Sequence, residues 1–239
     1  MTASEQDQTG AWADGPMVAL DVETTGVDPE TARIVAASTV TIGGGEAPET
    51  TSWLVDPGIE IPAEATAIHR ITTAQARAKG QAPAEALGEI ITTLAEPLAA
   101  GAPLVVFRAP YALTVLNREC VRHGVPFLDE VEPVIDPAVL DKHVAPYRRG
   151  RRTLPALCEH YRVRHDGPND PVQDALAAAR LAWRLLRVYP DLASVPLADL
   201  HADQLGWAQV QAASLQEHLR RTDPAAVVAG DWPLIPAPA

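Results

Sequence analysis

Cysteine is nearly absent: the chain has two, Cys120 and Cys158, in 239 residues. Both fall in helical patterns, so a disulfide scaffold is excluded and a reduced, cytoplasmic protein is expected. No apolar run is long enough to span a bilayer, and the polar start lacks a basic, leader-like opening, so no membrane partner is expected. Basic residues are outnumbered, 19 against 31 acids, for a formal net charge of −12. That balance argues against broad adhesion to duplex nucleic acid, where affinity comes from neutralised phosphates. It leaves room for a metal-assisted site that grips a single strand end. No internal repeat is found.

Hydrophobic residues make up 47% of the chain, ample for one large core. Residues 1–15 read as a loose polar tail, 16–189 as one domain, and 190–239 as a C-terminal helix with a Pro-rich end.

Met17–Glu23 reads as a buried strand, and Arg33–Ile42 alternates as a second. Gly43-Gly44-Gly45 makes a hairpin turn into a third, Thr50–Val55. Ala65–Arg70 and Thr72–Lys79 are short helical pieces. Pro83–Ala100 is a longer helix with Leu87, Ile90, Ile91, Leu94 and Leu98 on one side. Pro103–Phe107 is an apolar strand. Helices follow at 110–123, from Asp136-Pro137 to Val144, at 154–161 behind a Thr153 cap, at 171–188, and at 196–221. Strands followed by helix, strand and helix define an α/β layered domain.

The chemistry concentrates on three acids. Asp21 and Glu23 close the first strand, and residues two apart on a strand share a face. Two carboxylates side by side repel unless a cation lies between them. Asp174 sits in the first turn of the 171–188 helix. If that helix crosses the first strand, Asp174 completes a cage of hard oxygen ligands suited to Mg²⁺ or Mn²⁺. Taken singly, Asp-x-Glu is more often a solvated loop start, and Asp174 a first-turn acid favoured by the helix dipole.

The segment Asp21-Val22-Glu23-Thr24-Thr25-Gly26 resembles the first motif of the DEDDh, or DnaQ-like, 3′–5′ exonucleases. Ala67–Thr72, Leu104–Leu113, Val134–Pro137, Thr153–Cys158 and Asn169–Ala175 resemble that family's later segments in order and spacing, across 17–188. The resemblance implies a ribonuclease H-like fold: a mixed sheet flanked by helices, here with a C-terminal helical extension. It implies that Asp21, Glu23 and Asp174 are catalytic and hold a metal. It also marks Thr24, Thr25, Arg108 and Tyr111 as substrate-binding candidates.

The departures are equally specific. Ala112 stands where the family has its fourth acid, Asn169 where it has its general-base histidine, and Arg108 where asparagine is usual. One metal ion is therefore expected rather than two. General-base catalysis is worth roughly 10²–10⁴-fold, so its loss is expected to impair or abolish hydrolysis. Three readings follow: an impaired homologue that binds single-stranded ends or nucleotides, a working exonuclease with an altered base, or a site repurposed for a small molecule.

Arg108 either pairs with the cage acids and partly replaces the metal, or turns outward to solvent or binds a phosphate. His165, nine residues before Asp174, reads as an exposed loop histidine out of register with the family's base. His69 reads as structural and Asp170 as a helix cap. The run Arg148, Arg149, Arg151, Arg152 either contacts a nucleic-acid backbone or is a solvated loop. Trp183 and Trp207 read as packing residues. The stripe Leu197, Leu200, Leu205, Ala208, Ala212, Leu215, Leu219 is expected to be buried, on the core or across a homodimer seam.

Overall fold

The computed structural model describes residues 11–237. Five strands form one mixed sheet: β1 (Met17–Thr24), β2 (Ile34–Gly43), β3 (Glu46–Leu54), β4 (Leu104–Val105) and β5 (Val134–Ile135), in the order β3-β2-β1-β4-β5. The first three are an antiparallel meander, and β4 and β5 join parallel to β1. The helices are α1 (Ala63–His69), α2 (Thr73–Lys79), α3 (Pro83–Ala99), α4 (Ala109–His123), α5 (Pro137–Val144), α6 (Leu154–Tyr161), α7 (Pro171–Val188), α8 (Pro190–Ser194) and α9 (Leu197–Leu219). Strand β5 and helix α8 add to the sequence reading. A two-residue strand carries too little periodicity to be seen in sequence.

The alternation of β1 decides what faces where. Val18, Leu20 and Val22 enter one core with Leu87 and Ile90 of α3 and Leu113 and Leu116 of α4. Met17 and Ala19 enter the opposite core with α6 and α7. Asp21 and Glu23 share the parity of Met17 and Ala19, so they emerge on the α7 side. Helix α7 buries Ala175, Ala177, Ala178, Ala179 and Ala182. These small side chains let its backbone lie close on the sheet, which brings the first turn to the carboxyl end of β1.

Several local expectations change. The loose tail expected over 1–15 falls partly outside the described residues. Ala11–Asp14 form a 3-10 turn, and the Trp12 indole N–H donates to the Val195 carbonyl at 3.0 Å. Thr153 occupies the N-cap position of α6, yet its side chain makes no capping hydrogen bond. Trp183 is 43% exposed rather than packed, because it lies on the outer face of α7 under Arg187.

The C-terminal helix docks differently from its stripe pattern. Leu200 and Gln204 are its fully buried residues, whereas Leu205, Leu215 and Leu219 stay largely exposed. The anchor is polar: Gln204 accepts the Asp136 backbone N–H at 2.8 Å and donates to the Val134 carbonyl at 2.9 Å. Beyond those exposed leucines, nothing in the structure favours the homodimer seam. Among the described residues, no helix is long and apolar enough to cross a membrane.

The basic run is also divided. Arg148 and Arg152 turn inward onto the fully buried Asp141, which also accepts the Tyr161 hydroxyl at 2.8 Å. A buried carboxylate needs such partners. Arg149 and Arg151 remain exposed.

Candidate metal centre

Asp21, Glu23 and Asp174 converge. Each offers one carboxylate oxygen, and these oxygens lie within 4.8 Å of one another. Local sequence explains the placement. A register shift after Glu23 bends the end of β1, as a bulge does. Thr25 then fixes the exit: its N–H donates to the Arg33 carbonyl at 2.9 Å, and its hydroxyl accepts the Arg33 N–H at 2.9 Å. Asp170 caps α7, accepting the Val172 and Gln173 N–H groups. That cap sets the first turn in which Asp174 lies.

Electrostatics leave the cluster uncompensated. Burial, then repulsion from Asp174 and Glu23, raises the Asp21 carboxyl well above its usual range. Burial and the charges of Asp174 and Asp170 raise Glu23 to about 7. Burial also raises Asp174, against the opposing effect of a hydrogen bond with His165. Three hard oxygen donors that repel one another fit a divalent cation, whose charge removes the conflict.

Among the described residues Arg108 forms no ion pair with these acids. It is exposed, with its guanidinium carbon 6.0 Å from the Phe107 ring centroid. Of the two readings of Arg108, the structure holds the one without an ion pair to the cage. Arg108 sits at φ 59, a left-handed conformation at the N-cap of α4, and lines the cleft beside the cage. Asp136 holds that conformation by accepting the N–H groups of Arg108 at 3.0 Å and Ala109 at 2.9 Å.

His165 corrects the reading in the opposite direction. Its side chain is 6% exposed, and Nε2 lies 2.5 Å from Asp174 Oδ1. The 162–170 loop folds back through two left-handed residues, Arg162 and Asn169, and so carries His165 into the site. Asn169 contributes its backbone rather than its side chain, donating N–H to Asp174 Oδ2 at 3.0 Å. Ala112 is buried in the core and offers no ligand.

Beside the carboxylates lies a cleft of about 660 Å³, whose lining includes Glu23, Thr24, Thr25, Ile68, His69, Arg108 and Tyr111. The Tyr111 and Thr24 hydroxyls lie 2.5 Å apart beside the Gly26 carbonyl; one donates to the other, which donates on to that carbonyl, and this braces the turn after β1. His69, read as structural, belongs to this wall. Its Nδ1 accepts the Ile71 N–H at 3.1 Å, while Nε2 is buried without a hydrogen-bond partner. Burial lowers its pKa, favouring the neutral ring.

The fold and the carboxylate cage define a DnaQ-like exonuclease homologue with a three-carboxylate metal site. Residues 18–182 match the family model described as RNase T exonuclease, and the chain belongs to that family. It is similar to the DNA polymerase III subunit epsilon-like protein of Rhodobacter capsulatus, with 35% identity over 173 residues, 69% of this chain and 23% of that protein. Its fold is similar to E. coli exonuclease I in complex with a dT13 oligonucleotide (TM-score 0.61, 16% identity, 74% of this chain and 43% of that one). It is also similar to exonuclease X in complex with 5′ overhanging duplex DNA (TM-score 0.55, 20% identity, 77% and 99%). The chain thus spans about a quarter of the curated relative and under half of exonuclease I.

Proposed function

We propose that this chain binds the 3′ end of a single nucleic-acid strand, or a nucleotide, through one Mg²⁺ or Mn²⁺ ion, and that its phosphodiester hydrolysis is impaired. The observation that carries this reading is the three-acid cage with alanine at 112 and asparagine at 169. Asp21, Glu23 and Asp174 would hold the ion. When bound, it supplies charge neutralisation at a phosphoryl oxygen and activation of a water. Thr24, Thr25 and Tyr111 shape the wall against which a terminal nucleotide rests, and Arg108 lends a cation at the cleft mouth. In this reading residues 16–189 are the exonuclease-like unit and 190–239 a C-terminal extension, whose helix α9 is fastened to the unit through Gln204. A cytoplasmic location accords with the two buried free thiols.

A second reading, a working exonuclease with a displaced base, is favoured by His165. Its imidazole reaches the cage from a different loop position than the family's histidine. Degradation of a 3′-labelled single-stranded oligonucleotide in Mn²⁺, against Glu23→Ala, tests both. No activity above the control supports the impaired reading. Activity lost in Glu23→Ala and in His165→Ala supports the second.

A further inference from the structure

Three hollows follow one another across the molecule. The metal-side cleft shares Arg108 and Tyr111 with a second hollow of about 400 Å³, walled by α4, α5, α9 and the segment 229–235. That hollow shares Gln211 with a third, of about 320 Å³, lined by Lys142, His143, Pro146, Tyr147 and Trp207. Helix α9 is a wall of the second and third hollows, so the extension and the nuclease-like unit form them together.

The third hollow carries flat faces and positive charge. The His143 and Trp207 rings stack at 3.6 Å with 11° between their planes. Burial lowers the His143 pKa, favouring the neutral ring. Tyr147 is 95% exposed, a position with no packing role. Lys142 lines the same hollow, and Arg149 and Arg151 are exposed on the same loop. Asp203 approaches His143 and Asp231 lines the middle hollow, so the cations are interrupted rather than continuous. Aromatic faces with nearby cations are what successive bases and phosphates of a single strand engage. A protein of net charge −12 gains little from its overall field and must place such cations locally.

We propose that these hollows form a track for single-stranded nucleic acid leading away from the metal centre, with α9 as its outer wall and Tyr147 as a stacking platform at its far end. This rests on the reading of the cleft as a strand-end site. The test uses the full chain in Mn²⁺ with 5′-fluorescent phosphorothioate oligothymidylates, which resist hydrolysis, of two, four and eight residues. Oligouridylates run in parallel separate DNA from RNA preference. Affinity is expected to climb with length. Tyr147→Ala should lower affinity for the octamer roughly tenfold and leave the dimer unchanged. Lys142→Ala should reduce the salt slope for the octamer by about one phosphate contact. Dimer binding with no gain for longer strands, or an octamer indifferent to Tyr147→Ala, would overturn the track while leaving the cleft reading intact. Absence of binding at any length would overturn both.

Discussion

His165 Nε2 lies 2.5 Å from Asp174 Oδ1, nine residues away in sequence. An imidazole therefore stands at the cage although the family's position for it holds asparagine. Two substitutions separate its two possible roles. Asn169→His restores an imidazole at a left-handed position that histidine tolerates comparatively well. If the missing base is what limits hydrolysis, Mn²⁺-dependent degradation should rise by roughly 10²–10⁴-fold. Should His165 already act as base, Asn169→His changes little and His165→Ala removes the activity.

Metal-dependent stability should vary with pH in a direction set by Glu23. Its carboxyl titrates near 7 in the folded chain and near 4.5 when unperturbed. Between those values the folded state holds more protons than the unfolded one, so stability without metal falls as pH rises through 7. A bound cation offsets the exposed repulsion, and proton release accompanies its binding. The rise in Tm on adding Mn²⁺ should therefore be larger at pH 8 than at pH 5.5, by differential scanning fluorimetry. In Glu23→Gln the slope should shrink to the share that Asp21 and Asp174 carry, and most of the metal effect should vanish.

Arg108 is held where a side chain is strained. A left-handed non-glycine residue costs roughly 1–2 kcal/mol, so Arg108→Gly should raise stability toward that amount in urea unfolding. The same substitution should weaken oligonucleotide binding, because it removes the cation between the first two hollows. A loss of stability would mean that the Phe107 contact outweighs the strain.

Asp141 is the buried hub of the 144–152 loop. Removing one member of such a group leaves charges unpaired and costs about 3–5 kcal/mol. Asp141→Ala should lose that much by urea titration, while Arg149→Ala, on the exposed side of the same loop, should stay within about 0.5 kcal/mol.

The strand-end acids were legible because strand parity and helix capping are local rules. Asp21 and Glu23 follow from period two, and Asp174 from Asp170-Pro171 opening a helix. The layered sheet followed from the same patterns. What stayed hidden depended on chain reversal. His165 enters the site only because Arg162 and Asn169 turn left-handed, and neither is a glycine that would advertise it. Arg148 and Arg152 resembled a solvated run until their partner Asp141, a fully buried acid, was placed under them. The leucines of α9 misled for a related reason: that helix is fastened by Gln204, which no hydrophobic pattern reports.

Gln204 also changes the meaning of the sheet's border. Strand β5 ends the sheet, and its Val134 carbonyl and the N–H of Asp136, the residue that follows it, point outward as edge groups do. The Gln204 amide answers both, acceptor to donor and donor to acceptor, as a peptide unit of a sixth strand would. A side-chain amide thus takes part of a neighbouring strand's place. A chain shortened ahead of α9 would bare that border, and bare borders recruit strands from other molecules. The extension thus covers that border with two side chains of one helix, Gln204 and His201, whose Nδ1 accepts the Val134 N–H at 3.0 Å.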